Sequence, residues 1–381
     1  MSNQRQVFEN QFFPTGSGWA TIQERMAFHG IPGASIAFVA DDTVAWRAPF
    51  GVLQLGDSTP VQADTPFQAA SLSKPHASIG VQRLFAQRGL DLDSPLAGHT
   101  SWAIPCRTCG AQINWSGNVT VKQTLQHMGG FIGAGNTNPP DHCSDFDADG
   151  GGFDGYVARV GAPIPTLGEI LAGTCPANSP PIELTLMPGE FHYSGMGYVA
   201  LMRMLLDMTG EDFHDWMRTH VLAPMKMESS SYALGPPTWM PAAASGHVGT
   251  EPIEGKRNFY PESAAAGLYS NAGDLCQTII MLNNGGMIDG TPILSPGQAA
   301  AMLDEQIGIF TYQQNDIYYF DHLGENKGFT AYMRGYPHQH AGFALMINQD
   351  HEKWGALKFL NEAIEAFGRV YGLPVGPALS D

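Results

Sequence analysis

Strand-like runs at both ends of the chain, separated by a long helix-rich stretch, are what most limits the folds open to this sequence. Residues 34–39 and 44–51 read as two strands joined at Asp41-Asp42, and four more apolar runs, at 307–312, 317–320, 329–334 and 341–347, alternate with turns near the other end. Two early strands and several late ones imply a sheet shared by both termini, with the middle of the chain inserted. The expected fold class is therefore α+β.

Helices are expected at several places by spacing and by their stop signals. Trp19, Ile22 and Met26 fall at helical spacing before Gly30-Ile31-Pro32-Gly33, and residues 354–371 form a terminal helix. Thr120 and Gln123 make a capping box for a short helix closed by Gly129-Gly130. Residues 163–173 and 213–221, and a stretch entered at Ala272-Gly273-Asp274, complete the set, while residues 182–187 look strand-like.

The chemistry is concentrated in three stretches. Ser71-Leu72-Ser73-Lys74-Pro75 holds the sequence's Ser-x-x-Lys, followed by a helical pattern from His76 to Gly89. Positions three apart share a helix face, so the Ser71 hydroxyl and the Lys74 amine are predicted to lie within hydrogen-bond reach, as a serine nucleophile and its base require. Proline is tolerated only in a first turn, so Pro75 places the helix start at or just after Ser71. Unpaired N–H groups at that start favour a developing oxyanion. The second stretch, Phe191-His192-Tyr193-Ser194-Gly195, puts Tyr193 in a loop just before a helix that runs to Gly210. In the third, Asp321-His322-Leu323-Gly324-Glu325, expected between two strands, Gly324 permits close approach of another backbone or a ligand, and His322 offers a proton carrier, a substrate clamp or a strand-end residue.

Composition narrows the function classes. A net charge of −17 without a basic run argues against a nucleic-acid partner. No run approaches the roughly 18 apolar residues needed to span a bilayer. The first residues lack an apolar signal core, which gives an expectation of a cytoplasmic protein, or a periplasmic or secreted one if a signal has been removed. Gly 45 and Pro 27 against only 14% charged residues point to long structured loops.

Two further patterns leave alternatives open. Cys106 and Cys109 read as a local disulfide, as plain thiols, or as half of a zinc site with His142 and Cys143. Asp145, Asp147 and Asp149 before Gly150 imitate the first half of a calcium loop, but Tyr156 stands where the bidentate glutamate belongs, so a solvated acidic loop is the reading adopted. No cofactor and no resident metal is expected.

Together the three stretches resemble the serine beta-lactamase and penicillin-binding-protein-like family, in its class C, D-aminopeptidase and esterase branch. Ser71-Leu72-Ser73-Lys74 looks like the family's Ser-x-x-Lys, Tyr193-Ser194-Gly195 like its Tyr-x-Asn, and His322-Leu323-Gly324 like its Lys-Thr-Gly or His-x-Gly. The resemblance implies a two-lobed fold: an antiparallel sheet lobe flanked by helices from residues 1–70 and 240–381, and a mainly helical lobe from 71–239, with the active site in the cleft. It implies Ser71, Lys74 and Tyr193 as catalytic residues, the backbone N–H groups of Ser71 and Glu325 as oxyanion hole, and Gly195, His322, Leu323 and Gly324 as substrate-binding positions. The activity implied is a serine hydrolase cleaving a small-molecule ester or amide through a Ser71 acyl-enzyme. Acyl transfer, weak beta-lactamase activity and a non-catalytic ligand-binding homologue are the alternatives. Gly195 and His322 depart from the family's asparagine and lysine, which disfavours efficient beta-lactam hydrolysis.

Overall fold

The computed structural model describes residues 2–107, 109, 115–131, 155–157, 163–177, 179–234, 243–314, 317–350 and 355–379. His142, Cys143 and the Asp145 loop lie outside them. Eight strands matter for the site: β1 (Gly33–Ala40), β2 (Thr43–Gly51), β3 (Phe67–Ala70), β4 (Leu268–Ser270), β5 (Phe310–Gln314), β6 (Ile317–Asn326), β7 (Phe329–Tyr336) and β8 (Ala341–Ile347). The helices are α1 (Ser2–Asn10), α2 (Ile22–His29), α3 (Ser73–Arg88), α4 (Val121–Leu125), α5 (Leu167–Ala172), α6 (Gly195–Thr209), α7 (Phe213–Met217), α8 (Ser263–Ala266), α9 (Ala272–Asn283), α10 (Pro296–Asp304) and α11 (Ala356–Tyr371).

Six strands make one antiparallel sheet in the order β5-β6-β7-β8-β1-β2, so the last strand of the chain pairs with the first of the sheet. This is the sheet built from both ends that the apolar runs imply. Asp41 and Asp42 both adopt positive φ, 49° and 52°, which is the two-residue turn whose twist suits a hairpin.

Period two divides each central strand between two cores. Ile36 and Phe38 of β1, Phe343 and Leu345 of β8, and Tyr332 of β7 point to a layer made by α1, α2 and α11, where Phe8, Phe12, Phe359 and Phe367 pack. Ala37, Val39, Ala344, Met346 and Met333 point the other way, into a larger core that includes α9, α3 and α6. Covering on both faces explains why β1 and β8 read as continuous apolar runs rather than alternating ones.

Helix α3 is the axis of that larger core, buried from Ser73 through Gln82. A hydroxyl-bearing, lysine-bearing helix start inside an apolar core requires internal partners for every polar group. Helix α6 is also mostly buried, and Gly210 caps it in the left-handed conformation.

Several local expectations shift. Trp19 lies in a short strand (Gly18–Ala20) and is exposed, and the helix begins only at Ile22, where Thr21 supplies a capping box. Helix α4 has the expected Thr120–Gln123 box but ends at Leu125, because His127 turns the chain left-handed two residues before Gly129. Residues 182–187 form no strand, only bridges from Leu184 to Cys106 and to Phe131. His322-Leu323-Gly324 lies inside β6 rather than between strands, since pairing with β7 continues to Asn326. Cys106 and Cys109 form a disulfide, Cys175 is also disulfide-bonded, and Cys276 is a buried free thiol. Among the described residues no group of three or more metal-ligating side chains converges, and no helix is long and apolar enough to cross a membrane.

Candidate active site

The nucleophile candidate sits at a sharp strand-to-helix turn. β3 pairs with β4 and ends at Ala70, whose φ of 50° is unusual for a residue with a side chain. The turn is held by Leu72 N–H donating to the Ala69 carbonyl (3.1 Å) and Lys74 N–H to the Ser71 carbonyl (3.0 Å). The Ser73 hydroxyl donates to the Ala70 carbonyl (2.6 Å) and accepts from the Leu268 N–H (2.9 Å). The result leaves Ser71 half-buried at the lip of α3 while the residues after it are buried.

Lys74 is one turn further in, and the predicted contact is present. Its Nζ donates to Ser71 Oγ at 2.9 Å and to the Ala265 carbonyl, just before α8 ends, at 2.8 Å. No carboxylate pairs with it among the described residues. The surroundings are instead aromatic, with Nζ 4.9 Å from the Tyr193 ring centre and 5.9 Å from that of Tyr198. Burial without a counter-charge disfavours the ammonium and brings its pKa down from 10.5 to about 7.

Tyr193 arrives from the loop before α6, whose N-cap is Ser194 (its hydroxyl accepts from Gly197 N–H at 3.1 Å). Ser71 near its phenol favours ionisation, but burial of the hydroxyl end outweighs this and raises its pKa. The residue as a whole is 46% exposed, so this burial belongs to the phenol end against Ser71 rather than to the entire ring. The phenol is thus protonated at working pH, and a phenolate sustained by a charged Lys74 is not the resting arrangement. Gly195 opens α6 and offers no side chain.

Strand β6 forms the facing wall. A Cβ on Gly324 would lie 2.4 Å from the Ala69 carbonyl oxygen, 2.6 Å from Leu72 Cδ1 and 3.2 Å from the Ser71 nitrogen, so only glycine lets β6 run this close to the nucleophile. Glu325 is the next residue of β6 and pairs with Thr330 of β7. The Leu323 side chain packs against the core on the opposite face of the sheet, away from Ser71.

His322 is fully buried, and its Nδ1–H donates to the Leu323 carbonyl (2.7 Å), which leaves the lone pair on Nε2, without a partner among the described residues. Burial first, then the Lys74 charge, lowers its pKa to about 3. With its pKa lowered in this way, the imidazole offers no positive charge to a carboxylate.

Three further residues gather at the site, Phe191 from the tyrosine stretch itself and Phe310 and His127 without any motif signal. Phe310 at the start of β5 lies 5.2 Å from the His322 ring, Phe191 lies 6.1 Å from Phe310, and His127 lies 4.4 Å from Tyr193, ring centre to ring centre. Their joint wall is aromatic. They come from three distant segments, and each reads locally as an ordinary turn or core residue.

The Beta-lactamase family model matches residues 20–364. A penicillin-binding protein 4 from Amycolatopsis lactamdurans is 25% identical over 341 residues, covering 84% of this chain and 81% of that protein. Among solved structures, the D-amino acid amidase of Ochrobactrum anthropi SV3 complexed with D-phenylalanine has a TM-score of 0.68 at 18% identity, covering 92% of this chain and 97% of that one. The D-alanine carboxypeptidase AmpC of Burkholderia cenocepacia has a TM-score of 0.65 at 17% identity, covering 97% and 99%. These likenesses show that the chain shares its overall fold with those proteins. A match over residues 20–364 of 381 takes in both the six-stranded sheet and the helices packed on it, and the chain belongs to the Beta-lactamase family of serine hydrolases.

Proposed function

We propose that the chain hydrolyses ester or amide substrates without a carboxylate beside the scissile bond, through a Ser71 acyl-enzyme. The observation that carries this reading is the Lys74 amine, 2.9 Å from Ser71 Oγ and half deprotonated near pH 7. Neutral Lys74 takes the Ser71 proton as Oγ bonds to the substrate carbonyl carbon. The backbone N–H groups of Ser71 and Glu325 receive the oxyanion. When the C–O or C–N bond breaks, Tyr193 gives its proton to the leaving group and is reprotonated from Lys74. Water then attacks the acyl carbon and the proton steps run in reverse, freeing Ser71.

The substrate class follows from what faces the reacting carbonyl. The D-amino acid amidase and the D-alanine carboxypeptidase neighbours are named for amide and peptide substrates, and either bond suits this mechanism. A carboxylate beside the scissile bond needs a cation, and neutral His322 does not provide one. Phe191, 55% exposed beside His127 and Phe310, instead offers contact to an apolar substituent. Neutral esters and amino-acid amides are therefore favoured over peptides with a free C-terminal carboxylate and over beta-lactams.

The test is labelling with a fluorophosphonate read by intact mass, together with turnover of an aromatic ester, a D-amino-acid amide, a D-alanyl-D-alanine peptide and a cephalosporin. One adduct is expected, absent in Ser71→Ala, with turnover lowered by about a million-fold in that variant. Unchanged hydrolysis by Ser71→Ala would sink the mechanism, and a preference for the carboxylate-bearing peptide would sink the substrate assignment.

A further inference from the structure

The tyrosine loop before α6 has little regular structure, yet its phenol must meet Ser71 within a fraction of an ångström to transfer a proton. What fixes it is a residue from another segment. His127 follows α4 with a φ of 60°, a left-handed conformation uncommon for histidine and one that surrounding contacts must hold. Its carbonyl accepts the His192 N–H at 2.8 Å. Its Nδ1 accepts the Ser194 N–H at 3.0 Å. Its ring lies against the Tyr193 ring, 4.4 Å between centres and 31° between planes. One residue thus grips the backbone on both sides of Tyr193 and the face of its side chain.

The hydrogen bond also sets the tautomer. A ring nitrogen that accepts from a backbone N–H cannot carry a proton, so the His127 proton is on Nε2. Burial, reinforced by Lys74 and His322, keeps the ring in this neutral form. Among the described residues the Nε2 atom has no partner, so Nδ1 is the atom through which the side chain acts on the loop.

We infer that His127 is a positioning residue for Tyr193, holding the phenol against Ser71 through its Nδ1 acceptor, its carbonyl and its ring face. The inference rests on the assignment of Tyr193 to proton transfer. A side chain that merely filled the core would affect folding, not Tyr193 in particular.

A double-mutant cycle distinguishes these roles: wild type, His127→Ala, Tyr193→Phe and the pair, with kcat and KM for a neutral ester and a melting curve for each. His127→Ala is expected to lower kcat about a hundred-fold, the usual penalty for misplacing a catalytic group by about an ångström, with KM little changed. In the Tyr193→Phe background the same substitution is expected to cost less than about threefold, because the group it positions is gone. Equal loss in both backgrounds, or full activity in His127→Ala, overturns the inference. Wild-type kcat in Tyr193→Phe alone overturns the Tyr193 assignment instead, and the inference with it. Should His127→Ala not fold, His127→Asn and His127→Gln decide. Asparagine tolerates the left-handed backbone and places its carbonyl near the Nδ1 position, so it is expected to recover kcat to within about tenfold, while glutamine does not. Equal kcat in those two variants rejects the role of Nδ1.

Discussion

Replacing Lys74 with methionine removes the amine while keeping an unbranched apolar stem of similar length in the same channel. In the native protein this amine is buried, without a counter-ion among the described residues, and its pKa falls from 10.5 to about 7. At about 1.36 kcal/mol for each tenfold step, that drop is an upper bound of about 4–5 kcal/mol charged against folding at pH 7 and below. The methionine variant escapes this penalty but leaves the Ala265 carbonyl and the Ser71 hydroxyl without their donor, which returns about 1–3 kcal/mol. Lys74→Met is therefore expected to be more stable than wild type at pH 7 by roughly 1–3 kcal/mol, although inactive.

The pH dependence is the sharper signature. Between pH 7 and 10.5 the unfolded chain holds the Lys74 proton and the folded chain does not, so stability from this group rises with pH across that window. Urea unfolding of both proteins from pH 6 to 10 reads the difference, and every other titrating group cancels. The wild type is expected to gain on the variant by up to about 1.4 kcal/mol per pH unit above 7, with no change below pH 6. Parallel stability curves would show that Lys74 keeps its ordinary pKa when folded, and the base assignment would then lose its support.

Two other outcomes test the same geometry. Because Lys74 accepts the Ser71 proton only when neutral, kcat/KM for a neutral ester is expected to rise with pH through about 7 and then level; a flat profile from pH 5.5 to 8.5 would contradict it. Gly324→Ala drives a methyl to within 2.4 Å of the Ala69 carbonyl, which is expected to cost about 1–3 kcal/mol in denaturant unfolding and to slow fluorophosphonate labelling of Ser71 by pushing β6 away; an unchanged labelling rate would mean that β6 does not form that wall.

Much of this architecture is written locally. The Asp41-Asp42 turn, the capping boxes at Thr120 and Thr166, and the glycines at 30, 89, 173 and 210 that end their helices each act over a few residues. The Ser71–Lys74 contact is likewise a matter of three positions on one helix, which is why a motif suffices to foresee it. Strands at the two ends of the chain, and Tyr193 just before a helix, were legible for the same reason.

The charge state of the site is not local. Lys74 loses its proton readily because Tyr193 and Tyr198 from one segment and the Ala265 carbonyl from another exclude water around it without offering an anion. His322 has the same residue type as a cationic clamp, and only its enclosure beside Phe310 and its bond to the Leu323 carbonyl make it neutral. His127 reaches Tyr193 across 66 positions of chain through a left-handed turn that no motif marks. The sequence by itself determined which groups could react and where helices and strands begin, since those depend on neighbours a few residues away. Only the tertiary structure decided which of those groups are charged and what holds them in place, because desolvation and packing are set by residues far apart in the chain.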